Sequence, residues 1–213
     1  SLSFSPSLSL SLSLLSLSFS LARSLQVALV GCLANVQFNG IDFEVLQSSL
    51  LLENVGGGCI EALVDGGGGD GGIDETTAYS FRAGSWAQFR STELGLVTST
   101  TEDMLTVNVR THNASGVIFF VSHEFDNDFL LLELKNGEPL FRFSLGGSGF
   151  TAVGLTLALN DGAWHSLQVH RQGNRVTLVA DGGLAQAQAI SSSSRTILQL
   201  GNAIYVGGVP KVF

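Results

Sequence analysis

Three carboxylates occur at alternate positions near the middle of this 213-residue chain, at Glu124, Asp126 and Asp128. On a strand, this spacing places three side chains on one face. Two carboxyls about 5–10 Å apart could act as the acid pair of a glycosidase, whereas clustered oxygens could bind calcium. Asn127 interrupts the group and apolar runs flank it, so a solvated turn is the third interpretation. Only Asp128 directly precedes an apolar run, at 129–134, which places its carboxylate at the mouth of a strand.

Other residues with catalytic potential form no known motif. The histidines are dispersed and lack the paired spacing of a zinc site. His165 shares an apolar strand face with Leu167 and Val169, and such a histidine is typically a packed, hydrogen-bonded residue. The sequence also contains no nucleophile elbow. These patterns favour a protein that is not an enzyme.

Cys32 and Cys59 are the only cysteines of the chain. They could be two independent buried thiols. They could also form a disulfide that closes a loop of roughly 28 residues and stabilises the fold by about 3 kcal/mol. A C-x-x-C spacing, which would indicate a metal or redox site, is absent. The residues alone leave both interpretations open.

Alternating apolar and polar residues predict that strands position these groups. The alternation occurs at 105–110, 141–145 and 167–170, and a short apolar run occupies 117–121. Turn signals such as Asn-Gly separate strands at a spacing of roughly 10 residues, which is typical of a sandwich or barrel. No segment of 79–213 shows a helical period. An all-β fold is therefore expected, with 14 Phe residues to supply core volume.

Composition divides the chain into segments and argues against two classes of partner. Residues 1–24 are a low-complexity Ser/Leu segment, and residues 60–78 form an acidic Gly-rich linker with five acidic and no basic residues. The net charge of −8 argues against nucleic acid as a partner. No run of about 18 uncharged apolar residues is present, so no membrane insertion by this chain is expected.

Three ordered motifs resemble the laminin G-like domain family, which occurs in laminins, neurexins and contactin-associated proteins. They are the strand pair 128–137 and 140–146, the segment Leu-Asn-Asp-Gly-Ala-Trp-His at 159–165, and Ile-Tyr-Val-Gly-Gly-Val-Pro at 204–210. The resemblance covers about residues 79–213. It implies an antiparallel two-sheet jelly-roll sandwich of the concanavalin type.

A further motif, Val-Gly-Cys-Leu-Ala-Asn-Val-Gln-Phe-Asn-Gly at 30–40, resembles the last strand of such a module. The family pattern then pairs Cys32 with Cys59 in a disulfide. Residues 25–59 are expected to be the C-terminal tail of a preceding module. Residues 79–213 are expected to be a second module, truncated at its C-terminus before its own Gly-Cys strand.

A module without its last strand would expose an unpaired ladder of backbone groups. We therefore predict that residues 33–38 pair antiparallel within the sheet of 79–213 and fill the vacant position. The linker reaches about 25 Å, which is enough to bring the strand back across a small domain. The buried side chains should be Val36 and Phe38, or Leu33 and Val36 if a bulge intervenes.

The resemblance also implies a calcium site at the rim of the sandwich. The matching residues are the Asp128 carboxylate, the backbone carbonyls of Leu145 and Ile197, and Gln199. Gln199 departs from the family pattern, because it is neutral and one methylene longer than the usual Asn. With a single charged ligand, calcium is expected to bind weakly, at about 10⁻⁴–10⁻³ M, and no other cofactor is expected.

The function that the resemblance implies is an extracellular binding or adhesion module, secreted or part of a membrane-protein ectodomain. Its rim loops would contact a protein or glycan partner. The alternative is a lectin-like glycoside hydrolase or carbohydrate-binding domain of the same fold, which would need carboxylates in a groove. Arg142, Arg171 and Arg175 are too few to predict a heparin-binding patch. Asn113, in the chain's N-x-S/T sequon, is expected on a surface turn as a glycosylation site.

Overall fold

The computed structural model describes residues 27–49, 51–59, 78–123, 127–146 and 149–210. Almost all regular structure in these ranges is extended, as the alternating sequence pattern predicts. The strands are β1 (Gly31–Phe38), β2 (Ile41–Asp42), β3 (Leu51–Gly57), β4 (Tyr79–Arg90), β5 (Ser99–Thr100), β6 (Glu102–Arg110), β7 (Gly116–Ser122), β8 (Phe129–Lys135), β9 (Glu138–Ser144), β10 (Thr151–Gly154), β11 (Trp164–Gln172), β12 (Arg175–Ala180), β13 (Ala185–Ile190), β14 (Leu198–Gln199) and β15 (Ala203–Val206). A four-residue helix, α1 (Val45–Ser48), and a 3₁₀ turn (Asp181–Gly183) complete them.

Thirteen of the described strands form one continuous antiparallel ladder that folds back on itself, and β5 and β14 form a separate two-stranded sheet. The order of the ladder is β10-β9-β8-β7-β15-β4-β1-β6-β11-β12-β13, with β3 on the other side of β4. The twelve-residue β4 belongs to both halves, because its first residues pair with β1 and its last residues pair with β15. Buried residues from both halves form one hydrophobic cluster. The all-β, antiparallel sandwich expected from the sequence is therefore confirmed.

The core is built from the alternating faces of the strands. In β6, Leu105, Val107 and Val109 are buried while the residues between them are half-buried. By contrast, β8 is buried at six successive residues, and all of these except Glu133 are apolar. The β8–β9 hairpin turns at Asn136 and Gly137, whose φ angles are 57° and 85°. Such positive φ angles suit Asn-Gly, so this predicted turn is confirmed.

The strand β1 lies between β4 and β6, antiparallel to both. Its register against β6 shifts between Ala34 and Gln37, where Asn35 adopts a φ of 51°. This bulge turns Leu33, Val36 and Phe38 toward the main core. The prediction that residues 33–38 pair within the sheet of the following segment is confirmed. The buried residues are Leu33 and Val36, as predicted for a bulged strand, and Phe38 in addition.

The predicted disulfide is present between Cys32 of β1 and Cys59, with the two Cα atoms 6.0 Å apart. Cys59 follows β3, which runs along β4 on the side opposite β1. The Arg110 side chain donates a hydrogen bond to the Cys59 carbonyl. The disulfide therefore joins two strands that flank the start of β4. Sequence reasoning did not predict the β3–β4 pairing.

The predicted low-complexity segment, 1–24, and all of the predicted linker 60–78 except Ala78 lie outside the described residues. Ala78, at the boundary of the predicted linker, is buried, and its carbonyl accepts a hydrogen bond from the Gly58 N–H. The assignment of 25–59 to a preceding module stays a prediction.

Among the described residues, no helix has the length and apolar character that a membrane span requires.

Candidate functional site

Asp128 lies at one rim of the sandwich, immediately before β8, with its side chain completely buried. Its carboxylate Oδ2 accepts a hydrogen bond of 2.7 Å from the backbone N–H of Gln199 in β14. Its own backbone carbonyl accepts a hydrogen bond from the His123 N–H at the end of β7. Asp128 thus joins the β7–β8 connection to β14.

A positively charged side chain lies next to this carboxylate. Nη1 of Arg195 is 3.8 Å from Asp128 Oδ1, and the arginine side chain is 45% exposed. The guanidinium lies against Gly146, where a side chain would collide with Nη1 and would come within 3.0 Å of Asp128 Oδ1. Gly146 also has a φ of 80°, which favours glycine. The glycine therefore leaves room for a cation beside Asp128, and the Arg195 guanidinium occupies that room.

Residues 191–197, here called the rim loop, are held in place by hydrogen bonds on both sides of Arg195. The Ser193 hydroxyl accepts the Arg195 N–H, and the Asn174 side-chain amide donates to the Ser191 and Ser193 carbonyls. Beyond Arg195, the Thr196 carbonyl accepts a hydrogen bond from Arg171. These contacts fix the backbone from which Arg195 extends.

The predicted calcium ligands are only partly brought together. Gln199 meets Asp128 through its backbone N–H, which is a donor and cannot bind a cation, while its side-chain amide donates to the Ser99 hydroxyl. Leu145 precedes Gly146, so its carbonyl belongs to the same turn. The Ile197 side chain is 45% exposed, at the end of the rim loop. Calcium binding at these residues stays a prediction.

Of the acidic group predicted from the sequence, the structure describes only Asp128. Glu124 and Asp126 lie outside the described residues. Within the part of the chain that the structure describes, no group of three or more His, Cys, Asp or Glu side chains could hold a metal ion. A glycoside hydrolase, the alternative function, would need a catalytic carboxylate that faces a groove. Asp128 lies at a rim instead, and it is not among the residues that line the groove beside it.

A groove of about 540 Å³ opens beside Asp128, and it is here called the rim groove. His123 and Leu200, which line it, adjoin the Asp128–Gln199 contact in sequence and in hydrogen bonding. Most of its lining side chains carry hydroxyl, amide, imidazole or guanidinium groups. The lining residues are Gln88, Arg90, Ser91, Thr92, Thr98, Ser122, His123, Leu200, Gly201, Asn202, Ala203 and Tyr205.

Asn202 is a polar side chain of the rim groove that hydrogen bonds hold in place. Its Oδ1 accepts hydrogen bonds from the Ser91 hydroxyl, the Thr92 hydroxyl and the Thr92 N–H. Because the oxygen is held by the 91–92 turn, the orientation of the amide NH₂ group, which has two donors, is also fixed. On the groove wall, Tyr205 stacks with Phe120 and meets Trp86 edge-on.

Two arginines that were considered for a surface basic patch are instead buried. Arg171 is fully buried, and its Nε donates a hydrogen bond of 2.7 Å to Asp103. Arg142 is 7% exposed and pairs with the buried Glu133. The burial of Arg171 has a signal in the sequence, because Arg171 continues the alternation of the inward-facing residues Leu167 and Val169. In the structure, its register partner in β6 is Asp103.

His165 is packed and hydrogen-bonded, as its position in the sequence predicts. Its Nδ1 lies 2.9 Å from Asp181 Oδ2 and its Nε2 lies 3.0 Å from Asp161 Oδ1. Burial of the ring lowers its pKa, but the hydrogen bonds and charges of Asp181 and Asp161 outweigh burial, so the pKa of His165 is raised. The Ala163 N–H and then His165 lower the pKa of Asp161.

Asn113 lies in the turn between β6 and β7, and its side chain is exposed, as expected for a glycosylation site. Its backbone N–H is hydrogen-bonded to the Thr111 hydroxyl at 2.9 Å. The surface position of the sequon is therefore confirmed. Glycosylation itself stays a prediction.

Comparison with known proteins identifies the fold and the family of the domain that carries this rim. The family model of the laminin G domain matches residues 109–213, which include Asp128, the rim loop and most of the rim groove. The chain contains a laminin G-like domain. It is 35% identical to human laminin subunit alpha-1 over 109 residues, which are 50% of this chain and 4% of that protein.

Two further similarities concern other parts and the fold. Human usherin is 26% identical over 200 residues, covering 88% of this chain and 4% of usherin. The LG1–3 region of the laminin alpha2 chain superposes with a TM-score of 0.52 at 22% identity, covering 60% of this chain and 25% of that one. The latter similarity concerns the fold. The chain spans only 4% of the length of each of the two curated relatives.

Laminin G-like domains are non-enzymatic binding modules of extracellular proteins, and this domain is such an extracellular adhesion or binding module in that general sense. What the module binds is a separate question.

Proposed function

We propose that this laminin G-like domain binds an extracellular glycan, or the glycan of a glycoprotein, in the rim groove. The observation that carries the proposal is the groove itself, a depression of about 540 Å³ lined mostly by residues whose side chains carry a neutral polar group. Sugars present many hydroxyls, and amide and hydroxyl side chains pair with hydroxyls as both donors and acceptors.

The arrangement of the groove supports a pre-formed site. The 91–92 turn holds Asn202, so its amide donors need little reordering when a ligand arrives. Tyr205 supplies an aromatic wall against which the apolar face of a sugar ring can pack. Arg90 forms an ion pair with Glu93, with 3.2 Å between Nη1 and Oε1. Because Glu93 offsets this positive charge, the groove favours the recognition of hydroxyl groups over a strong attraction of polyanions.

A panel of immobilised oligosaccharides, probed with the secreted protein, tests the proposal. Gln88→Ala removes an amide from the groove wall and should weaken binding about tenfold. The matched control is Gln188→Ala, because Gln188 is exposed on β13 and does not line the groove. Equal losses in both variants, or no glycan bound by the unaltered protein, would contradict the proposal.

A protein partner is the competing outcome. Binding of the secreted domain to cells should be lost after the cell-surface glycans are removed enzymatically. If binding persists on the stripped cells and is still weakened by Gln88→Ala, the rim groove contacts a polypeptide instead.

A further inference from the structure

At the rim of this domain, the carboxylate of Asp128 lies beside the guanidinium of Arg195. Asp128 is a completely buried carboxylate, and the cost of burying a charge demands a partner of opposite sign or hydrogen-bond donors. The structure supplies both, through the Gln199 N–H at Oδ2 and the Arg195 guanidinium 3.8 Å from Oδ1.

The place of the guanidinium coincides with the place expected for calcium. It lies between Asp128 and the turn at Leu145 and Gly146, and that turn carries one of the predicted carbonyl ligands. Calcium takes six to eight oxygen ligands. In the observed arrangement, Gln199 offers a donor N–H to Asp128 and directs its side chain to Ser99. The residues therefore do not fit calcium while Arg195 is in place.

We propose that Arg195 is the resident cation of the Asp128 site and that calcium can bind there only after displacing it. The rim loop presents Arg195 from a backbone fixed by Ser193 on one side and Thr196 on the other. Gly146 provides the room, since any side chain there would collide with the guanidinium. The rim is thus ordered without a divalent ion, and the weak calcium affinity expected from the sequence gains a second cause.

Calorimetry with calcium chloride tests the competition directly. Arg195→Gln removes the charge and keeps a polar side chain, so calcium affinity should rise about tenfold from the millimolar range of the unaltered protein. The matched control is Arg175→Gln, which removes an equal charge from an exposed position at the start of β12. It should leave calcium affinity unchanged. Similar affinities for the unaltered protein and Arg195→Gln would overturn the proposal.

Thermal unfolding supplies a readout that does not need the unaltered protein to bind calcium. Arg195→Gln should lower the Tm, because the buried Asp128 carboxylate loses its counter-ion, and calcium should restore the Tm. In an Asp128→Asn background, Arg195→Gln should have no effect on the Tm and calcium should not stabilise it. Failure of calcium to stabilise Arg195→Gln, or an equal loss in the Asp128→Asn background, would also overturn the proposal.

Discussion

The strand β1 and the rim loop are held in the same domain by opposite kinds of interaction. Strand β1 has neighbours on both sides in the ladder, three side chains in the main core and a disulfide at Cys32. The rim loop, residues 191–197, is held by two hydrogen bonds from Asn174, by one from Arg171 and by the ion pair of Arg195. Burial and strand pairing therefore stabilise β1, whereas a few polar contacts hold the rim loop.

This difference separates stability from recognition within the domain. Apolar burial and ladder pairing supply most of the free energy of folding. The few polar contacts of the rim loop should contribute less to stability than this burial, yet they fix the loop that faces a partner. Substitutions in β1 should therefore change the stability of the whole domain, whereas substitutions in the rim loop should change mainly what the rim binds.

The largest expected effect is that of Phe38→Ala. Phe38 is completely buried and lies 5.2 Å from Phe119, centroid to centroid, so truncation leaves a large cavity. The free energy of unfolding should fall by about 4 kcal/mol in urea titration. The control is Phe150→Ala, because Phe150 lies near the rim and is 42% exposed. It should cost less than about 1 kcal/mol, and similar losses for the two variants would contradict the comparison.

Arg171→Leu should have an effect of similar size, because it removes the buried support behind the rim loop. Arg171 pairs with Asp103 and also donates to the carbonyls of Gly173 and Thr196. Breaking a buried ion pair from one side costs about 3–5 kcal/mol. The loss should be measured by urea titration against Arg175→Leu, which removes an exposed arginine from the same hairpin.

A double variant sharpens this test. If the cost of Arg171→Leu comes from the stranded Asp103 carboxylate, then Asp103→Asn together with Arg171→Leu should cost less than the sum of the two single variants. An additive result would mean that the carbonyl contacts of Arg171, and not its ion pair, support the fold.

The parts of this fold that follow from local pattern could be predicted from the sequence. The alternation of Leu105, Val107 and Val109 and the Asn136–Gly137 turn identify strands and hairpins without further knowledge. The pairing of β1 within the sheet of β4 and β6 also followed, from the resemblance of residues 30–40 to a strand of the family. The bulge at Asn35 and the pairing of β3 with β4 depend on the exact three-dimensional fit, which no short-range pattern records.

The site was less predictable, because polar partners come from distant parts of the chain. Asp128 was identified, but Arg195 was not, since nothing in its local sequence points to a carboxylate 67 positions earlier. Arg171 was considered only as one of too few arginines for a basic patch. Its alternation with Leu167 and Val169 would have placed it inward, and this signal was overlooked.

Loss of the disulfide should have an intermediate effect that is confined to the β1 side of the comparison. Replacing Cys32 and Cys59 by alanine should lower the free energy of unfolding by about 3 kcal/mol, because the unfolded chain gains the freedom of the opened loop. Urea titration of the secreted protein measures this. The calcium response of Arg195→Gln should be the same with and without the disulfide. A changed response would mean that β1 and the rim are coupled.

The smallest expected effect is a pH dependence from His165, a polar contact of the same kind as those at the rim. Because Asp181 and Asp161 raise the pKa of His165 in the folded state, protonation stabilises the fold. This contribution is fully present below the unfolded pKa of about 6.5 and is lost as pH rises through the higher folded pKa. Asp161 is 56% exposed, so the contribution should stay below about 1 kcal/mol. Urea titrations on both sides of neutral pH should show stability falling as pH rises, and His165→Gln should flatten that slope. An unchanged slope in His165→Gln would assign the pH dependence to another group.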